Sequence, residues 1–151
     1  MTAEDIIDNG RLIVRSQIDG FFFGFNDEAL FPLVNGQFWI QKSYKYWYHY
    51  AYRPRIAIYD YNGTYYLILE GYNQFIDVAK ITEVYQGTIV NDFRGWSGDT
   101  IFEMDNGQIW KQDEYAYHYS YSYRPQALIY MSRSGYKIKV EGESVRVRRL
   151  K

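Results

Sequence analysis

Two sets of alternating tyrosines, Tyr44, Tyr46, Tyr48, Tyr50 and Tyr52, then Tyr115, Tyr117, Tyr119, Tyr121 and Tyr123, are the residues here whose spacing invites a chemical reading. Successive side chains of an extended strand point to opposite faces, so each set places five phenol rings on one side of a strand. Flat amphipathic rings at even spacing can stack on sugars, bases or proline-rich peptides. They can also stack on one another in a shared interface, each hydroxyl staying wet at the rim. The opposite face differs between the sets, with Lys45, Trp47, His49 and Ala51 in one and Ala116, His118, Ser120 and Ser122 in the other. What recurs is the tyrosine face.

Reactive groups are sparse. The chain has no Cys, which excludes thiolate nucleophiles, disulfides and cysteine metal sites. Its two histidines, His49 and His118, occupy different positions within the two sets and are expected to be solvated or stacked. The adjacent carboxylates Asp113 and Glu114 fall in a predicted loop, and the sequence contains no nucleophile elbow, phosphate-cradling glycine loop or metalloprotease helix. No catalytic residue, cofactor or metal is therefore predicted. Net charge is −1, which argues against duplex DNA and anionic membranes and disfavours single-stranded nucleic acid. No apolar run is long enough to cross a bilayer. The segment Met1 to Asn9 carries Glu4, Asp5 and Asp8 where a secretory signal needs positive charge, so the chain is expected to be cytoplasmic.

The elements that must position the tyrosines are written twice. A shift of 71 positions puts Asn35-Gly36-Gln37 on Asn106-Gly107-Gln108, Trp39 on Trp110, Gln41 on Gln112, and Arg53-Pro54 on Arg124-Pro125, together with all five tyrosines. From Phe22 to Gly71 there are 20 identities in 50 positions without a gap, well beyond what a tyrosine-rich composition gives by chance. Past Gly71 the register slips by two, as if Tyr72 to Phe75 formed a longer turn. The predicted organisation is an N-terminal segment 1–10, a first repeat 11–81 and a second repeat 82–151. Thr2 to Ile7 ahead of Asn9-Gly10 predicts a short helical turn.

Within each repeat, period-two alternation and turn residues predict strands. In the second copy these run Glu83–Phe93, Thr100–Met104, Gln108–Gln112, Tyr115–Met131, Tyr136–Val140 and Val145–Leu150. The stretch Gly95–Asp99 reads as a loop with one anchored ring, and Asp105-Asn106-Gly107 as a hairpin turn. About 70 residues of this kind suit an all-β fold, a tandem of two small five-stranded barrels of SH3-like type, with OB-like as the alternative. The tyrosine face, extended past Pro54 and Pro125, leads by parity to Ile56, Ile58, Ala127 and Ile129 and so into the core. The ribbon is too long for so small a barrel, and part of it is expected to overhang, with the break at the prolines. The basic tail Arg146, Arg148, Arg149 and Lys151 is read as a solvated edge that blocks strand addition.

The run Phe93-Arg94-Gly95-Trp96-Ser97-Gly98-Asp99-Thr100-Ile101-Phe102, with Asn106-Gly107-Gln108-Ile109-Trp110-Lys111-Gln112 after it, resembles a motif of an uncharacterised bacterial family with no assigned function. The resemblance covers mainly the second repeat. It implies a bacterial source and brings no chemistry with it. The reading of the residues is a non-catalytic interaction or structural module, whose tyrosines with Trp39 and Trp110 form an inter-repeat, homodimer or partner interface. The alternatives are a glycan-binding module using Tyr and Trp stacking, and a single-stranded nucleic-acid binder.

Overall fold

The structure, a computed structural model, describes residues 1–151 as an all-β chain with one short helix, divided into two compact units, Met1–Thr82 and Glu83–Lys151. No helix is long and apolar enough to cross a membrane.

The first unit opens with α1 (Ala3–Asn9), which the sequence starts by a capping box. Thr2 accepts from the Asp5 amide, and the Asp5 carboxylate accepts from the Thr2 amide. Ala3 and Ile6 on its buried side pack on Tyr59 and Ile68, on the outer side of the sheet. Eight strands come next: β1 (Arg11–Gln17), β2 (Phe21–Phe25), β3 (Leu30–Pro32), β4 (Phe38–Gln41), β5 (Trp47–Tyr52), β6 (Arg55–Tyr61), β7 (Thr64–Leu69) and β8 (Phe75–Ile81). Six form one antiparallel sheet in the order β1-β6-β7-β8-β4-β3, and β2 pairs with β5 as a separate two-stranded ribbon.

The second unit repeats this plan with β9 (Val84–Thr88), β10 (Phe93–Ser97), β11 (Ile101–Glu103), β12 (Ile109–Gln112), β13 (Tyr117–Ser122), β14 (Gln126–Ser132), β15 (Gly135–Val140) and β16 (Glu143–Arg149). Its six-stranded sheet has the order β11-β12-β16-β15-β14-β9, and β10 pairs with β13 as the ribbon.

The two cores agree position by position. Ile18, Phe22, Phe25, Phe31, Leu33, Trp39, Ile56, Ile58, Leu67, Leu69, Ile76 and Val78 form the first. Ile89, Phe93, Trp96, Phe102, Met104, Trp110, Ala127, Ile129, Ile138, Val140, Val145 and Val147 form the second, each at its repeat equivalent, the last two after the two-residue slip. Some pairs, such as Trp39 and Trp110, are identical, and others, such as Leu33 and Met104 or Leu67 and Ile138, exchange one apolar side chain for another. The duplication thus preserves apolar character at set positions more strictly than side-chain identity.

Three expectations need correction. Each unit has eight strands in a six-stranded sheet plus a two-stranded ribbon, and neither is a closed barrel. The edges approach only at isolated bridges, Ile18 with Leu33 and Ile89 with Met104. Gly95–Asp99 is not wholly loop, since Gly95, Trp96 and Ser97 pair with Tyr119, His118 and Tyr117. Finally, Tyr115–Met131 is two strands rather than one. The chain turns at Arg124, with φ of 46°, and at the equivalent Arg53, with φ of 50°. Residues in this left-handed region rotate the next strand about its axis, so residues of equal parity before and after it no longer share a face. The tyrosine face thus ends at the arginine, and Ile56 and Ile58 enter the core on a differently oriented strand.

Candidate functional site

The repeated segment Asn-Gly-Gln-x-Trp-x-Gln explains how each ribbon is held. The Asn35 and Asn106 side chains accept from the amides of Gln37 and Gln108, and Gly36 and Gly107 supply the positive φ of the turn. Gln37 and Gln108 accept the indole N–H of Trp39 and Trp110 at 3.2 and 3.1 Å. Both indoles are core groups, 2% and 3% exposed. Trp39 and Trp110 are therefore corrected from contact residues to packing residues.

The last glutamine of the segment fastens the ribbon. Gln112 is buried; its Oε1 accepts from the amides of Ser97 and Gly98 at 3.2 and 3.1 Å, and its Nε2 donates to the carbonyls of Glu114 and Ala116 at 3.0 and 2.9 Å. One side chain thus ties the end of β10 to the chain entering β13. Gln41 does the same in the first unit, accepting from the Asn26 and Ala29 amides and donating to the carbonyls of Asn26, Ser43 and Lys45. The sequence signal for this role is the identity of Gln41 and Gln112 at a strand position that polar residues rarely fill when buried.

Inside each ribbon a bulge interrupts the pairing, between Phe22 and Gly24 and between Phe93 and Gly95. A Cβ on Gly24 would lie 1.8 Å from the Trp47 carbonyl oxygen, and one on Gly95 2.1 Å from that of His118. Both glycines also have φ of 93°. Only glycine fits there.

The inward face of each ribbon rests on its own unit by different chemistry. In the first, Trp47 packs on Phe22 and Phe25 and stacks on His49 at 5.0 Å, with Tyr72 against His49 at 4.6 Å. Lys45 donates to the Phe75 carbonyl at 2.9 Å, its ammonium over the Phe75 ring, and burial pushes its pKa down. In the second, Glu143 accepts from the Trp96 indole and lies 4.0 Å from His118 Nε2, while Ser120 donates to Glu141 at 3.4 Å.

With the inward face anchored, the tyrosines face out. All ten are between 54% and 94% exposed. Tyr48, Tyr50 and Tyr52 project from β5, and Tyr117, Tyr119 and Tyr121 from β13. Tyr44, Tyr46 and Tyr115 precede the strands, and Tyr123 lies just past β13.

The flanks of these rows differ between the units. In the first, Phe21 and Phe23 are exposed beside the tyrosines, with Phe21 5.8 Å from Tyr50 and 5.1 Å from Tyr52, and Phe23 5.7 Å from Tyr50. At the equivalent positions the second unit carries Asp92 and Arg94, joined by a 2.6 Å Nε–Oδ2 ion pair. Asp92 holds the guanidinium pKa above its ordinary value, with the nearby Tyr119 and Tyr121 phenols adding smaller contributions. Neither Phe21 and Phe23 nor Asp92 and Arg94 stand out in the sequence, because exposed residues at alternate positions read as ordinary strand surface. No three His, Asp or Glu side chains stand close enough together to hold a metal ion.

Against known protein families, curated proteins and solved structures, the chain finds no match.

Proposed function

We propose that the protein is a non-catalytic binding module whose two tyrosine ribbons are recognition surfaces for a partner. The observation that carries this reading is the uncovered state of all ten rings on ribbons whose other face is anchored. Burying large rings is among the strongest contributions available to a small fold, and leaving ten outside forgoes it in both copies. Tyrosine suits such a surface because it offers large contact area with few rotatable bonds and a hydroxyl for polar contacts. The net charge of −1 and the mixed signs around the ribbons favour stacking and hydrogen bonding over phosphate contacts. For the scaffold, we read each unit as an opened small barrel of SH3-like type; the edge bridges Ile18–Leu33 and Ile89–Met104 support this.

The test is the double variant Tyr46→Ala with Tyr117→Ala. Because both rings are exposed, the midpoint of thermal unfolding is expected to move by no more than about 3 °C. Binding of decaproline or cellohexaose, two probes that stack on aromatic rows, is expected to weaken. A fall in sedimentation mass would assign the ribbons to self-association. A midpoint lowered by about 10 °C or more would show that the rings hold the fold together, and the recognition reading would fail.

A further inference from the structure

We infer that the ribbon of the second unit is a site for a neutral sugar, built from Asp92, Arg94, Tyr119, Tyr121 and Tyr123. This rests on the recognition reading and names the ligand class of one of its two surfaces.

The duplication supplies an internal comparison. Both ribbons share the bulge glycine and the buried glutamine that fastens them, and neither device dictates which side chains stand on the outward face. On that face Phe21 and Phe23 extend the first ribbon as apolar surface, whereas Asp92 and Arg94 border the second with paired charge. The ion pair engages Nε of Arg94 and Oδ2 of Asp92. The terminal guanidinium nitrogens and the second carboxylate oxygen take no part in that contact. A vicinal diol fits this arrangement, one hydroxyl donating to the carboxylate and its neighbour accepting from the guanidinium. A pyranose ring also carries a C–H face that stacks on an exposed tyrosine, so one ligand uses both features.

Room and charge agree with this assignment. An open pocket of about 320 Å³, at the small end of the size range of ligand clefts, is lined by Val90, Asn91, Asp92, Tyr121, Ser122, Tyr123 and Arg124, so Asp92, Tyr121 and Tyr123 of the site line it while Arg94 and Tyr119 do not. The positive charges are matched locally. Arg94 is paired with Asp92, and Arg124 lies close enough to Asp105 to help lower the pKa of that carboxyl. A phosphate or carboxylate ligand would meet no surplus of positive charge, whereas hydroxyl groups need none.

The experiment titrates the full chain with cellohexaose and maltohexaose, and with hexagalacturonate as the anionic comparison, monitored by tyrosine fluorescence and amide chemical shifts. A neutral hexasaccharide is expected to bind with a Kd near or below about 1 mM. Asp92→Ala with Arg94→Ala is expected to weaken it at least about tenfold, and so is Tyr121→Ala. Phe21→Ala with Phe23→Ala, in the other unit, is expected to leave it unchanged.

The sugar assignment is overturned if neither neutral saccharide binds at about 10 mM, if the Asp92 and Arg94 variant binds equally well, or if the acidic saccharide binds more tightly. If the saccharides fail while decaproline binding or self-association still depends on the ribbon tyrosines, the recognition reading stands without the sugar. If decaproline and self-association are also indifferent to those tyrosines, both readings fall together.

Discussion

Replacing Gln112 by Leu tests whether one buried side chain holds the second ribbon in place. Leucine is close in volume to glutamine, so the main change is the loss of four hydrogen bonds of 2.9 to 3.2 Å to backbone groups on two segments. A hydrogen bond contributes about 1 kcal/mol net, and a buried group left unpaired costs about 1–3 kcal/mol. The orphaned amides of Ser97 and Gly98 and carbonyls of Glu114 and Ala116 lie on segments that can partly reach water, so the expected total is about 2–4 kcal/mol. A unit of about 70 residues has roughly 3.5–10 kcal/mol of stability, which makes this a large fraction. At about 4–8 °C per kcal/mol, the thermal midpoint of the second unit should fall by about 8–32 °C. Calorimetry reads that shift, and amide exchange adds the location. Protection should be lost first over Tyr117–Ser122, while Ile129 and Ile138 in the core sheet stay slow. A midpoint change below about 4 °C, with β13 still protected, would refute the idea that Gln112 is the fastening.

Other outcomes rest on the same geometry. Gly95→Ala puts a methyl against the His118 carbonyl at a φ that alanine avoids, and should cost about 2–4 kcal/mol in urea unfolding. Ile6→Ala should remove about 2–5 kcal/mol from the first unit, since Ile6 is fully buried on Tyr59 and Ile68; an unchanged urea midpoint would show that α1 contributes little to the fold. The Tyr85 hydroxyl donates to Asp105, which lowers the Asp105 pKa from 3.8 and raises that of Tyr85 from 10.0. A depressed carboxyl pKa contributes stability that is complete above 3.8 and lost as pH falls through the folded value. A raised phenol pKa contributes stability that is complete below 10.0 and lost as pH rises through the folded value. Tyr85→Phe should therefore flatten the pH dependence of the unfolding midpoint at both ends, and an unaltered profile would show that the bond carries no linkage.

The sequence reveals the all-β character, the duplication and the placing of five tyrosines on one face of a strand, because each is written in a pattern that local geometry reads directly, whereas alternation alone does not say whether that face is covered. Alternation fixes which rings share a face, and identity at a fixed shift fixes equivalence of the copies. The turn at Arg53 and Arg124 is harder to see. A non-glycine residue enters the left-handed region because of its surroundings rather than its own type. At Arg53 these are Pro54 and the core strand beyond it, and the Gly20 carbonyl that accepts from the Arg53 amide at 2.8 Å. Counting parity through that residue carries the tyrosine face into the core, where it does not go. Trp39 and Trp110 are hard to place for a related reason. Aromatic residues at strand positions fit a core and a contact surface equally well, and only the partner of the indole N–H, Gln37 or Gln108, separates the two.

Two groups of side chains preserved between the copies contrast sharply. Asn35, Gly36, Gln37, Trp39 and Gln41, with their equivalents, all have work to do inside the unit, in the turn, the core or the ribbon fastening. The tyrosines lie outside that framework: all ten are exposed, and the ring contacts of Tyr50 and Tyr52 are with Phe21 and Phe23, which are exposed themselves. A residue kept for the fold should be buried or bonded, and burial does not explain the preserved tyrosines. The residues beside them are where the copies part, Phe21 and Phe23 against Asp92 and Arg94. A common row of rings supplies the stacking surface, and the flanking pair sets what each ribbon will accept.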